Sequence, residues 1–327
     1  MKNDLTIKPY VLTNQQGTTA TVIDYGAHLI SCTLPDQQGQ AQEITLGLDN
    51  ITDYIHNNHP HFGSTIGRVA GRITHAQFIC EGQSYSLAKN YNQQHHIHGG
   101  INGFDRVMWQ VVSASNNTIK LHYLSPHGDE GYPGNVHIIA SYDLTESNAL
   151  VIEYTATTDK TTPINLTNHT YWNLAGMGQF IFDHQLCIPA SHYVDTDEQH
   201  LLPNGKMLTV HDTPVNFLQP TRMGEHLQQV KKGYGHDQFY ILDDDTHHLR
   251  LAAQVWEPTT RRKMEVYTTQ PGIQFYTANN LAKKYSAFCL EAQNYPDAIN
   301  HTHFPSCLLH PGEIYQQKTV YQFTRSR

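Results

Sequence analysis

Charge is what this chain has least of. Asp, Glu, Lys and Arg together make up 15% of its 327 residues, where a globular domain ordinarily carries about 25%. Lys and Arg number 21 against 29 Asp and Glu, a formal net charge of -8 with histidine neutral. There is no basic excess to meet a phosphate backbone or an anionic lipid surface, so neither nucleic acid nor membrane is an expected partner. Long apolar runs are missing too: none approaches the roughly 18 to 20 residues that cross a bilayer, and mean hydropathy is -0.51. The five cysteines, Cys32, Cys80, Cys187, Cys289 and Cys307, are odd in number, widely spaced and never C-x-x-C. That excludes a disulfide framework or a zinc knuckle and reads as reduced thiols in the core. Met1 to Thr6 lead into no apolar leader, so the expected compartment is the cytoplasm. The chain also lacks G-x-x-x-x-G-K-[ST], H-E-x-x-H, G-x-S-x-G and a strand-flanked G-x-G-x-x-G, leaving phosphoryl transfer and dinucleotide chemistry without a fingerprint.

What fills the space left by charge is Asn, Gln, Thr, His and Tyr, a balance suited to neutral polyol ligands. Stretches that alternate with period two, or are dense in β-branched and aromatic residues, recur from end to end: residues 20–23, 29–34, 119–124, 136–144, 150–155, 249–256, 264–268, 273–277 and 320–323. Turn-rich separators such as Gly131-Tyr132-Pro133-Gly134 and Pro203-Asn204-Gly205 punctuate them. Only residues 223–231 read as a helix, with Met223, Leu227 and Val230 on one face and Gly233 as its stop. Without the helical spacing of βαβ units, the expected fold class is all-β, a large antiparallel β-sandwich with very little helix. No linker or repeat divides the chain, so residues 1–327 are expected to form a single domain. The spacing of Gly63, Gly67 and Gly71 around Arg68 and Arg72 marks tight backbone packing.

Histidine is the compositional outlier, at 23 residues. The groups His56, His59, His61 and His95, His96, His98 have neither helical H-x-x-x-H spacing nor a neighbouring cysteine pair, so they read as polar surface and no metal is expected. A more informative segment is Pro163 to Leu174, a strand-like run with amides, His169, Tyr171 and Trp172 but no formal charge. On a strand His169 and Tyr171 share a face. Hydrogen-bonding groups beside flat rings suit a sugar, whose hydroxyls surround C–H faces; the plainer reading of His169 is a hydrogen-bonded core histidine. In Phe288 to Ala298 a lone carboxylate, Glu291, stands among apolar residues. A carboxylate buried there has a partner or a raised pKa. Spacing leaves open a salt bridge to Arg68 or Arg72, or a general base.

Several of these segments together resemble the aldose 1-epimerase, or galactose mutarotase, family: residues 66–73 (IGRVAGRI), His98-Gly99-Gly100 followed by Gly103-Phe104-Asp105, Gly128 to Gly134, Asn168 to Leu174, residues 270–276 (QPGIQFY) and Cys289 to Asn294. They run in the family's order from about residue 20 to Leu309-His310-Pro311-Gly312-Glu313. The resemblance implies a galactose mutarotase-like supersandwich that interconverts the α and β anomers of a neutral aldose such as galactose or glucose, without a cofactor, as a monomer or homodimer. It implies His169 as general acid, Glu291 as general base, and Arg72, His98, Tyr171 and Gln274 as sugar contacts. Two positions depart from the family pattern. Gly71 stands where Asn is frequent, and Gly235-His236-Asp237 needs an insertion, or His236 in an aromatic place, to make Asp237 the sugar-binding carboxylate. An acid and a base facing each other across the sugar would favour each other's charged forms, so a raised His169 pKa is expected. Two other readings remain: a sugar-binding module or regulator without turnover, and an epimerase of a phosphorylated hexose, for which Arg68 and Arg72 supply little of the required basic cluster.

Overall fold

Period-two alternation sets the architecture. A computed structural model describes residues 6–36, 38–56, 59–244 and 248–325. Up to Leu5, the residues read above for a leader lie outside that range. The principal sheet has nine antiparallel strands, in the order Gln110–Ala114, Thr118–Ser125, Val136–Leu144, Ala149–Thr158, Tyr315–Arg325, Arg262–Thr268, Arg250–Trp256, Gln185–Cys187 and Thr221–Arg222. Its C-terminal strand pairs on one side with Ala149–Thr158 and on the other with Arg262–Thr268, so the end of the chain closes the middle of the sheet. Along Val136–Leu144 every second residue, from Val136 through Ile138, Ala140 and Tyr142 to Leu144, is fully buried.

A five-stranded antiparallel sheet contains Pro203–Thr209, His192–Thr196, Asp237–Ile241, Gly272–Tyr276 and Cys289–Gln293, in that order. One of its faces sends Tyr240, Ile273, Phe275 and Leu290 into the same hydrophobic core as the nine-stranded sheet. The two layers are also tied where the Tyr321 hydroxyl donates to the Leu290 carbonyl at 3.1 Å. A four-stranded sheet from Pro9–Thr13 to Ala41–Glu43 adds Leu12, Val22 and Leu29 to that core.

The expected strands are present, most of them one to several residues longer than the sequence pattern, with Val136–Leu144 matching at both ends. The helix at residues 223–231 is not. Met223 and Gly224 instead donate their N–H groups to the carbonyls of His184 and Phe182, while Lys231 and Lys232 take left-handed φ values of 46° and 58°. Met223, Leu227 and Val230 are buried as the pattern requires, but by successive turns. The one α-helix among the described residues is the single turn Asp53–His56. Among the described residues no helix is long and apolar enough to cross a membrane. All five cysteines are free thiols; four are buried and Cys187 is half-buried.

The glycine spacing around Arg68 has a clear function in packing. Gly63 has φ +67°, and a Cβ there would sit 1.9 Å from the Leu29 carbonyl oxygen. Arg68, 2% exposed, has no carboxylate within salt-bridge distance among the described residues; it donates to the Pro133, Gly134, Ser125 and Pro126 carbonyls and to the Thr162 and Ser125 hydroxyls.

Candidate active site

The second face of the five-stranded sheet floors a cavity of about 630 Å³. Register explains its lining. Asp237 lies opposite Tyr276, and Phe239 opposite Gln274. Gln274 in turn lies opposite Glu291, and Tyr276 opposite Cys289. Because cross-strand partners share a face, these alternate residues all turn away from the core. Asp237, Phe239, Gln274, Tyr276, Glu291 and Gln293 line the cavity.

His169 reaches the same cavity from a loop clamped on both sides. The 163–174 run is not one strand but three two-residue pieces, Thr162–Pro163, Thr167–Asn168 and Tyr171–Trp172. The His169 N–H donates to Ser64 O, and Gly63 N–H donates to His169 O. On the other side the Thr167 hydroxyl donates to Ala292 O at 2.9 Å, and Trp172 and Phe288 exchange backbone bonds. His169 and Tyr171 do share a face, their rings stacked with centroids 5.0 Å apart. The result holds His169 Nε2 3.6 Å from Glu291 Oε1, with both side chains almost wholly buried.

Neither arginine pairs with Glu291. Arg68 is committed to carbonyls, and Arg72 to Asp237, whose Oδ2 lies 3.3 Å from the Arg72 guanidinium. The Gln274 amide donates to Asp237 Oδ1 at 2.6 Å. Burial alone would weaken the Arg72 charge; Asp237 and the Tyr91 ring, 4.9 Å beneath the guanidinium, raise its pKa instead. Asp237, Arg72 and Gln274 thus form one polar wall. His236, next to Asp237 in the strand, is buried with its centroid 5.0 Å from Phe217 and 5.1 Å from Phe275.

The pKa expected for His169 is reversed. Burial dominates and pushes the imidazole down to about 3, with His61 adding to the effect. Glu291 is pushed up, by burial first and then by Asp237, against the opposing pull of Arg72. A 3.6 Å ion pair does not offset the loss of water around two charges. Burial therefore favours the uncharged form of both groups. His98 is likewise kept neutral, by burial and then by neighbouring His61, His169 and Arg72.

Three imidazoles gather here, and sequence reasoning missed one of them. The His61 ring lies 5.0 Å from His98 and 5.9 Å from His169, and His61 Nδ1 is 3.0 Å from Asp105 Oδ2. Of its histidine group only His56 is exposed surface: His59 is buried and lines the cavity with His61, while His95 and His96 are buried elsewhere. Also missed were Phe239, Tyr276 and Gln293, which the alternation of the strands around Asp237, Gln274 and Glu291 would have found.

His169, Cys289 and Glu291 each offer a donor atom within 4.8 Å of the others. The imidazole stands between the other two, Nδ1 3.6 Å from Cys289 Sγ and Nε2 3.6 Å from Glu291 Oε1. Burial also pushes the Cys289 thiol up, so a cation taking all three would have to compete with the protons that burial favours on the thiol and the carboxyl.

The cavity thus sets a histidine against a carboxyl group in its floor, beside a wall of amide, carboxylate and guanidinium groups, an arrangement able to exchange protons with a polar ligand. Residues 8–322 match the family model described as aldose 1-epimerase. A galactose mutarotase of Bos taurus is 38% identical, over 98% of this chain and 94% of that protein. An aldose 1-epimerase of Escherichia coli (strain K12) is 32% identical, over 97% of this chain and 96% of that protein. Among solved structures, a GalM/aldose epimerase homologue from C. elegans superposes with a TM-score of 0.90 at 29% identity, covering 98% of this chain and 100% of that one. A galactose 1-epimerase from Lactobacillus acidophilus NCFM gives 0.86 at 28% identity, covering 100% and 97%. The chain belongs to the aldose 1-epimerase family. Its sandwich is the galactose mutarotase-like fold, and with the family comes the activity of interconverting the anomers of aldoses.

Proposed function

We propose that the substrate is a neutral hexose such as galactose or glucose, that the whole chain acts as one catalytic domain in the cytoplasm, as monomer or homodimer, and that Glu291 and His169 carry the chemistry. The observation that carries this reading is the isolated His169–Glu291 contact at 3.6 Å in the floor of the cavity. Anomer exchange opens the hemiacetal, rotates the C1–C2 bond and recloses the ring. Opening takes a proton from the C1 hydroxyl and gives one to the ring oxygen, so the acid and base act together. Glu291, as carboxylate, accepts the C1 proton, and His169, as imidazolium, protonates the ring oxygen; the roles reverse on closure.

Burial, which favours the uncharged form of each group, sets the starting point of this scheme. The pair holds one proton in either arrangement, and titrates as a pair. A C1 hydroxyl donating to Glu291 favours its ionised form, which hands its proton to His169. Arg72, Asp237 and Gln274 hold the ring hydroxyls, with His98 and Tyr171 as further contacts. His98 Nδ1 accepts from the Gly71 N–H at 3.3 Å, so the neutral ring carries its hydrogen on Nε2 and offers a donor. The mechanism uses no metal. Polarimetry on freshly dissolved α-galactose and α-glucose tests the assignment: the parent should speed the optical-rotation change, and a chain that binds either sugar without doing so would be a binding module instead.

A further inference from the structure

We propose that His61, oriented by Asp105, is a further sugar-binding residue, accepting a hydrogen bond from one substrate hydroxyl at Nε2. The proposal rests on the anomer-exchange reading above. Asp105 is 1% exposed, and its carboxylate oxygen meets His61 Nδ1 at 3.0 Å. That bond takes the Nδ1 hydrogen, which in the neutral ring leaves the lone pair on Nε2. His61 lines the cavity, and its backbone has a left-handed φ of 62°, so the loop turns sharply as the ring enters.

The neighbouring His98 has the opposite tautomer. Its Nδ1 accepts from Gly71 N–H, leaving a donor at Nε2. The two rings stand edge to face, 5.0 Å apart. One wall of the cavity thus presents an imidazole donor beside an imidazole acceptor, each fixed by a bond on its far side. A hydroxyl is the group that answers both at once, donating to one and accepting from the other. A carboxylate or phosphate, which only accepts, would meet the His61 lone pair unfavourably, and a methylene would leave it unpartnered. Asp105, which contacts no sugar in this scheme, is a positioning residue.

The test crosses enzyme variants with substrate variants. Initial mutarotation rates are measured for the parent, His61→Phe and His61→Gln on galactose and on its single-deoxy derivatives at C2, C3, C4 and C6. Sites built to bond a hydroxyl reject analogues lacking it, so His61→Phe should lower kcat/KM on galactose by about tenfold or more, mainly through KM. On one deoxy sugar the parent should suffer a similar loss and His61→Phe should add little to it. His61→Gln, which keeps an acceptor, should recover part of the activity on galactose, and it carries the test if the Phe variant does not fold. An unchanged kcat/KM in both variants, or a penalty equal for every sugar, overturns the proposal. The anomer-exchange reading is judged separately, by Glu291→Gln and His169→Asn on galactose itself.

Discussion

Glu291→Gln separates chemistry from binding. The side chain is 3% exposed and points from the middle of the strand Cys289–Gln293 into the cavity. The amide has the same shape and is uncharged, the form that burial favours for the carboxyl. Packing on the other face, where Leu290 and Ala292 meet the core, is untouched. The Arg72–Asp237–Gln274 wall makes no hydrogen bond to Glu291 and remains intact. Sugar affinity should therefore stay within a few-fold, while removal of a positioned base costs about 10² to 10⁴ in rate, or about 3 to 5 kcal/mol of barrier. Polarimetric initial rates give the turnover, and calorimetric titration with galactose gives the binding. Stability adds a second readout. A carboxyl whose folded pKa is raised costs the fold stability as pH climbs from the ordinary carboxylate value to the raised one, so the melting temperature of the variant should fall less than that of the parent across that rise. Near-normal turnover in the folded variant would refute the assignment of the base.

His169→Asn should lower turnover strongly at every pH, whereas substitution of His98 should act mainly on KM; the reverse pattern in polarimetric rates would put the acid on the wrong histidine. With the His169 pKa depressed to about 3, its contribution to stability is complete above the ordinary histidine value and is lost as pH falls from about 6.5 toward 3. Melting temperatures of the parent should fall across that window more than those of His169→Asn. A chelator should leave activity unchanged, and a loss that zinc restores would overturn the metal-free mechanism. Arg68→Met should destabilise by about 3 kcal/mol or more in denaturant unfolding, because several buried carbonyls lose their donor at about 1 to 3 kcal/mol each; an unchanged midpoint would mean those acceptors find other partners.

Much of the fold was legible because alternation along a strand is local information. Val136–Leu144 could be read residue by residue, for the sheet buries one side of it completely. The segment at 223–231 failed for the converse reason: three apolar residues at helical spacing are equally satisfied by a looped chain, and Lys231 and Lys232 adopt conformations that no periodicity encodes. At the site, Glu291 stood out as a charge in an apolar run and His169 as part of a charge-free polar run. His61 did not, because its significance depends on Asp105, 44 residues away. The His169 pKa was misjudged because the family resemblance implied an opposite charge nearby but gave no measure of the water excluded around both groups.

The five-stranded sheet works as a partition, with one set of alternate side chains bound into the core and the other left facing the ligand. Selection can therefore redesign the cavity without reopening the question of folding. Val194, Phe239, Tyr276 and Gln293 all face the cavity, and a mutant library confined to them, leaving Tyr240, Ile273, Phe275 and Leu290 alone, would search substrate preference on a scaffold whose hydrophobic half never changes. The same division makes the wall intolerant of slippage: a shift of one residue in the strand Cys289–Gln293 would send Glu291 into the core and Leu290 into the cavity.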